Sequence, residues 1–209
     1  MSRYADSERQ SLADLLLAVG PDAPTINPGW AARDLAAHLV VRERRPDAAP
    51  GILLRPFRRY ADRVQTAVAA QPYPELVGQV RRPPWWSPVS NPLLDELTNI
   101  TEYFVHHEDL RRASPDWQPR ELSTGHQAAL WKRVSPLARL TLRRFPGALL
   151  IQAPGHGETK VGAGGESLRL VASPGELTVF LFGRQRVARV QLDGPAELVE
   201  RLRKAKLGV

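Results

Sequence analysis

The sequence predicts a mainly helical protein in two parts, a helical bundle followed by a small α+β domain. Up to about residue 145, apolar residues recur at spacings of three and four, the period of an amphipathic helix. From Pro146 onward, short apolar runs alternate with glycine-rich turns, a pattern typical of strands. We therefore predict a helical domain at residues 1–145 and a small α+β domain at residues 146–209.

Five helices are predicted in the first part, and proline and glycine mark their ends. Gly20-Pro21 ends the first helix, and Pro46 follows the second. Asn91 as a cap and Pro92 at the first helical position predict where the fourth begins. The predicted helices span residues 2–19, 30–44, 57–69, 92–113 and 123–144, with a short helical piece after Pro74.

The second part is predicted to mix short strands with two helices. Gly183 ends the first of these helices, and Asp193-Gly194 precedes the second. The predicted strands span residues 148–153, 159–162, 167–172 and 186–192, and the helices span 174–182 and 195–205.

Composition is typical of a soluble globular protein, with 43% hydrophobic and 24% charged residues. The apolar runs are too short to cross a membrane, and the first ten residues lack the apolar core of a secretory signal. A cytoplasmic protein without a membrane partner is expected. The sequence contains no cysteine, so nitrogen and oxygen atoms must hold any metal ion.

The net charge of +7 raises the question of nucleic-acid binding. The basic residues lie in short clusters along the whole chain, and none forms a helix-turn-helix, RNP or zinc-finger pattern. A solvated, mildly basic surface is therefore favoured over a nucleic-acid partner.

Two segments carry residues with the spacing of metal ligands. Glu102 and His106 are four residues apart, so on one helix they lie one turn above the other. His38 lies on the apolar side of another predicted helix. We predict that these three residues bind one divalent cation. The alternatives are a hydrogen-bonded core histidine at position 38 and a Glu102 paired with His106 or with an arginine of a neighbouring helix.

These two segments resemble the metal motifs of the DinB-like superfamily, in particular the branch of mycothiol-dependent maleylpyruvate isomerase and its uncharacterised metal-binding relatives. The motifs are Gly29–Leu39 and Glu102–Leu110, and the tail Gly175–Arg184 followed by Val190–Gly194 is similar to the C-terminal domain of that branch. The resemblance implies an up-and-down four-helix bundle with a metal site. It also implies that the metal ligands are His38, Glu102 and His106.

The same resemblance implies a thiol-dependent transferase or isomerase. Two histidines and one carboxylate suit Zn²⁺, and Ni²⁺ or Fe²⁺ also accept this ligand set. Three protein ligands leave a position open, at which mycothiol or another small thiol would lose its proton. The expected partners are thus a small-molecule substrate and a thiol. The alternative is a non-catalytic protein that binds a metal or a small molecule, and a nucleic-acid-associated protein ranks third.

Sequence position also identifies candidate residues that could orient the predicted ligands or bind a substrate. Asp34 precedes His38 by four residues and Asp109 follows His106 by three, so either carboxylate could orient a ligand imidazole. Both could instead be solvated or paired with nearby arginines. His107 points about 100° away from His106 and is expected to be a structural neighbour. Arg184 is a candidate substrate-binding residue, although Gly-Arg after a helix is also an ordinary helix end.

Overall fold

The computed structural model describes residues 3–48, 51, 54–87, 89–90, 95–143, 145–163 and 167–208. It divides into two compact units, Met1–Pro119 and Arg120–Val209. The described part of the chain is mainly helical and contains a small four-stranded sheet, which confirms the predicted fold class at this coarse level. Within the described ranges, every helix is too short or too polar to span a bilayer.

The first unit is built from helices whose positions largely follow the sequence prediction. They are α1 (Arg3–Val19), α2 (Ala32–Arg44), α3 (Arg58–Ala69), α4 (Tyr73–Arg81) and α5 (Asp95–Arg111). The short piece expected after Pro74 is α4, and the helix predicted as the fourth is α5. Its predicted start at Asn91 and Pro92 lies outside the described residues.

One apolar core joins the helices of the first unit. Helix α1 packs against α5 and α4, and α2 packs against α3 and α4. The core buries large side chains from α1, α2 and α5, among them Leu12, Leu16, Leu35, Leu39 and Tyr103. Each fully buried leucine contributes about 1.5–3 kcal/mol of hydrophobic stabilisation. This core fixes the helices that carry His38 and Glu102.

The second unit packs helices on a mixed sheet. Its helices are α6 (Thr124–Thr141), α7 (Pro174–Leu181) and α8 (Ala196–Lys204). Its described strands are β1 (Ala148–Ala153), β2 (Gly157–Val161), β3 (Ser167–Val171) and β4 (Gln191–Asp193), in the order β2-β1-β3-β4. Strand β1 pairs antiparallel with β2 and parallel with β3, and β4 pairs antiparallel with β3.

Helix α6 belongs to the second unit, whereas the sequence pattern predicted that it lies in a first domain ending at residue 145. Val134 and Ala138 on α6 lie in one buried cluster with Leu149 and Ile151 of β1. Hydrophobic periodicity identifies the apolar face of a helix but does not identify the surface that covers it. The sequence pattern therefore could not indicate that α6 packs with β1 in the second unit.

The strand predicted at residues 186–192 is largely wrong. The N–H groups of Val187 and Ala188 both donate to the Arg184 carbonyl, which makes a turn. The N–H of Arg189 donates to the Glu176 carboxylate at 2.7 Å. These donors are therefore not available to a strand ladder, and β4 begins only at Gln191.

Candidate metal centre

Helix α5 brings Glu102 and His106 together on one face. His106 Nε2 lies 3.2 Å from Glu102 Oε1, as expected for side chains one helical turn apart. Both side chains are mostly buried, with 20% of Glu102 and 10% of His106 exposed. The pair is therefore largely removed from water in the core of the first unit.

Helix α2 delivers His38 to the same point. Its Nε2 lies 3.6 Å from Glu102 Oε1, and its ring centroid lies 5.1 Å from that of His106 in an edge-on arrangement. Trp30 packs on the His38 imidazole, with ring centroids 5.3 Å apart. One potential ligand atom from each of His38, Glu102 and His106 lies within 4.8 Å of the others. The structure therefore brings the three candidate ligands of the sequence prediction close together.

The spacing of these atoms suits a small divalent cation. Bonds of about 2.0–2.1 Å at a tetrahedral angle would separate two ligand atoms by about 3.3–3.4 Å. The two distances to Glu102 Oε1 are 3.2 Å from His106 Nε2 and 3.6 Å from His38 Nε2. Both distances are close to that separation.

Asp109 orients His106 from the opposite side of the ring. His106 Nδ1 lies 2.9 Å from Asp109 Oδ2, and the Asp109 side chain is fully buried. Asn27 Nδ2 also donates to Asp109 Oδ2, at 2.9 Å. Because a carboxylate accepts at Nδ1, the imidazole carries a proton there and directs Nε2 toward Glu102. Of the two aspartates nominated by spacing, this is the one that contacts a candidate ligand.

The Asp34 carboxylate lies at the start of α2, where it contacts the backbone. Its Oδ2 accepts a hydrogen bond of 2.9 Å from the N–H of Ala31, so the side chain stabilises the start of α2. The helix begins at Ala32, two residues later than the sequence predicted, and Asp34 thus falls in its first turn. A carboxylate there satisfies an N–H that the helix leaves unpaired.

Arg42 also lies beside the cluster, although the sequence did not identify which arginine would approach Glu102. Its Nε lies 3.6 Å from Glu102 Oε1, and its Nη1 donates to Asn99 Oδ1 at 2.6 Å. Asn99 is fully buried and donates in turn to the Val89 carbonyl. Arg42 follows His38 by four residues, so the same one-turn spacing used for Glu102 and His106 would have placed it beside the site.

The electrostatics of the cluster favour an ionised Glu102. Burial by itself would raise the pKa of Glu102, but hydrogen bonds with His106 and His38 hold that pKa well below its ordinary value. The charge of Arg42 acts in the same direction. Glu102 therefore carries its negative charge at neutral pH and can act as an anionic ligand.

The two histidines differ in protonation. Burial lowers the pKa of His38 from its ordinary value, which leaves this imidazole neutral at pH 7. Burial acts on His106 in the same direction, but its hydrogen bonds to Asp109 and Glu102 outweigh burial and raise its pKa to about 9. Without a cation, His106 is thus protonated on both nitrogens at neutral pH.

His107 lies outside the cluster, in agreement with the expectation from helix geometry. Its Nδ1 lies 3.0 Å from Glu8 Oε2 of α1, and both side chains are buried. It therefore joins α5 to α1.

Arg184 of the second unit lies just after the end of α7. Its Nη1 donates to the Phe182 carbonyl at 2.6 Å, and its N–H donates to the Val179 carbonyl. These contacts are those of a residue that closes a helix C-terminus. They favour the helix-end interpretation over a substrate-binding one.

Comparison of the chain with family models, with curated proteins and with solved structures found no match.

Proposed function

We propose that His38, Glu102 and His106 bind one divalent cation, with Zn²⁺ the ion that best suits the ligand set. The observation that carries the proposal is the convergence of three ligand atoms from α2 and α5 within 4.8 Å. The contact of 2.9 Å between Asp109 and His106 Nδ1 supports it, because metal-binding histidines usually donate their second N–H to a carboxylate or carbonyl.

The centre is proposed to serve a thiol-dependent transferase or isomerase that uses mycothiol or another small thiol. Three protein ligands leave a coordination position for an exogenous group, as in catalytic zinc sites. A bound divalent cation would lower the pKa of a coordinating thiol and so supply a thiolate at neutral pH. The absence of cysteine in the sequence means that this thiol has to come from outside the chain.

The proposal includes the arrangement of the helices in the first unit. We infer a DinB-like up-and-down four-helix bundle from the ordered motifs Gly29–Leu39 and Glu102–Leu110. Helices α1, α2, α3 and α5 are its candidate members, with α4 as an additional short helix. A cytoplasmic location is proposed with it, since small thiols are abundant and reduced there.

A second candidate function rests on Arg42. The distance of 3.6 Å between Arg42 Nε and Glu102 Oε1 allows the arginine to balance the buried carboxylate without a metal ion. In that case the cluster would be a buried ion-pair network inside a protein that binds a small molecule by other means.

Metal content distinguishes the two candidates. The protein is produced without an affinity tag, purified without chelator and analysed for metals, together with His38→Ala and Glu102→Gln. His156→Ala is the matched control, since His156 lies in the turn between β1 and β2. We expect about one ion per chain in the wild type and in the control and a loss in both site variants. Full metal content in His38→Ala would refute the proposed centre.

A further inference from the structure

The first unit exposes a group of aromatic side chains that the proposed metal centre does not use. They lie in two short segments, one at the start of α3 and one after α4. Together with one leucine they form what we call the aromatic surface, which consists of Leu54, Phe57, Tyr60, Trp85 and Trp86. This surface includes every aromatic side chain that is exposed in the described part of the chain.

Contacts at the C-terminal end of α2 bring the two segments together. Arg44 Nη2 donates to the Arg82 carbonyl at 2.7 Å and so holds the segment after α4. Arg45 is the next residue, and its Nη2 donates to the Tyr60 hydroxyl at 3.2 Å. Since adjacent residues contact both segments, the segments lie next to each other. Single exposed apolar side chains are common, whereas a group of them on one surface marks an interaction site.

The turn that carries Trp85 and Trp86 is anchored on both sides. Pro84 and Ser87, which flank the pair, are both buried. The Ser87 N–H donates to the Pro84 carbonyl at 3.1 Å. The tryptophans themselves are 89% and 47% exposed. The turn therefore projects two indole rings into solvent from a fixed support.

Arginines surround the aromatic surface. Six arginines and a single acidic residue occur in the ranges that form and hold it, 44–47, 54–60 and 82–87. The acidic residue, Asp47, pairs with Arg45 at 2.7 Å. The exposed arginines include Arg58, Arg59 and Arg82. Exposed aromatic rings among unbalanced positive charges complement a bilayer surface, where tryptophan and tyrosine concentrate and anionic headgroups attract arginine.

From these observations we propose that the aromatic surface docks the protein on a bilayer that contains anionic lipids. The tryptophans enter the interfacial layer, and the arginines contact the charged headgroups. Leu54 favours lipid over single-stranded nucleic acid, because an aliphatic side chain offers no ring on which a base can stack. The expectation that the protein has no membrane partner was based on the lack of a spanning segment, which does not bear on contact with a bilayer surface.

Sedimentation with vesicles tests this inference. The full chain, in buffer with EDTA, is mixed with vesicles of phosphatidylcholine alone or with about 30% phosphatidylserine, and the anionic vesicles should bind at least about tenfold more tightly. Equal binding to both, or no binding to the anionic vesicles, would overturn the inference. Binding of poly(dT) without binding of vesicles would overturn it in favour of nucleic acid. EDTA makes the result independent of the proposed metal centre.

Two pairs of variants locate the contact. Trp85→Ala combined with Trp86→Ala should weaken binding to the anionic vesicles about tenfold. Leu17→Ala is the matched control, since Leu17 on α1 is 48% exposed, close to the value for Trp86. It should leave binding unchanged. Equal binding by the tryptophan variant and the control would contradict the role of the aromatic surface.

The second pair separates the local arginines from net charge. Arg58→Gln combined with Arg59→Gln should weaken binding by about fivefold for each arginine removed. Lys132→Gln combined with Arg203→Gln removes the same charge from exposed positions of the second unit and should have little effect. Equal losses in the two variants would mean that net charge drives binding, and the inference would be wrong.

Brominated lipids show whether the indole rings enter the bilayer. Anionic vesicles with brominated acyl chains should quench the tryptophan fluorescence of the wild type. This quenching should be lost in the Trp85→Ala, Trp86→Ala variant, although the other tryptophans of the chain remain. Binding without quenching would mean that the arginines alone make the contact, which would contradict the proposed docking.

Discussion

Binding of Zn²⁺ to this protein should release about one proton per ion at pH 7.5. The proton comes from His106, whose pKa is raised to about 9 in the metal-free protein. A cation at Nε2 must displace that proton, because a ligating imidazole is neutral there. Glu102 and His38 release none, since the pKa of Glu102 is held well below its ordinary value and that of His38 is also lowered.

The same proton makes the metal affinity depend on pH. Between about pH 6.5 and 8.5, the apparent association constant should increase by about tenfold per pH unit, because one proton competes with the ion. Above about pH 9 the dependence should level off. Calorimetric titration at pH 7.5, in two buffers with different ionisation enthalpies, gives the number of protons released. Chelator-buffered titrations across the range give the slope.

Asp109→Asn provides the matched variant for this experiment. The substitution keeps the shape of the side chain and removes the charge that lies 2.9 Å from His106 Nδ1. Without that charge the pKa of His106 should fall, and fewer protons should be released at pH 7.5. If the wild type released no protons and its affinity did not vary with pH, coordination through His106 Nε2 would be refuted.

Three further predictions concern stability and are measured by urea unfolding in the presence of EDTA. The pKa of His106 is raised in the folded state to about 9 from its ordinary 6.5, so protonated His106 should stabilise the fold by up to about 3 kcal/mol. This contribution should be full below about pH 6.5 and lost as the pH rises through 9. A free energy of unfolding that does not change over this range would contradict the prediction, and His106→Gln should remove the pH dependence. Glu43→Ala should destabilise the first unit by about 3–5 kcal/mol, because it deprives the buried Arg9 of a carboxylate 2.8 Å away, whereas Arg9→Met combined with Glu43→Leu should cost clearly less. Gly183→Ala should destabilise the protein by about 1–3 kcal/mol, since the φ of Gly183 is +86° and a Cβ would lie 2.6 Å from the Leu207 carbonyl oxygen. Gly78→Ala in α4 is the matched control and should not destabilise the protein. Outside its own helix backbone, the nearest atom to the new Cβ would be Arg82 Nη2, at 3.9 Å.

The sequence predicted that His38, Glu102 and His106 lie close together because each part of that arrangement follows from helical periodicity. The four-residue spacing of Glu102 and His106 requires only that the segment is helical, and the structure has α5 there. Leu35, His38 and Leu39 share one side of the predicted helix, so the His38 side chain was expected to face the core. Where local rules and tertiary packing agree, a site can be predicted from one sequence.

The role of Asp34 depended on a helix boundary, which sequence patterns locate less well. With a helix starting at Trp30, Asp34 would lie in the second turn and its carboxylate would be free to reach His38. With the observed start at Ala32, it lies in the first turn and accepts from the Ala31 N–H. A shift of two residues, which is the usual uncertainty of a predicted boundary, was enough to change the role of the side chain.

Arg42 and Asn27 were not identified individually from the sequence, for different reasons. Arg42 has the helical spacing to reach the site, but a basic residue on a partly polar helix is ordinarily expected to face solvent. Asn27 belongs to a turn, and the turn signal of Asn27-Pro28-Gly29 explains its backbone without indicating that its amide donates to Asp109, 82 positions away. Contacts of that sequence separation depend on tertiary packing, which periodicity does not describe.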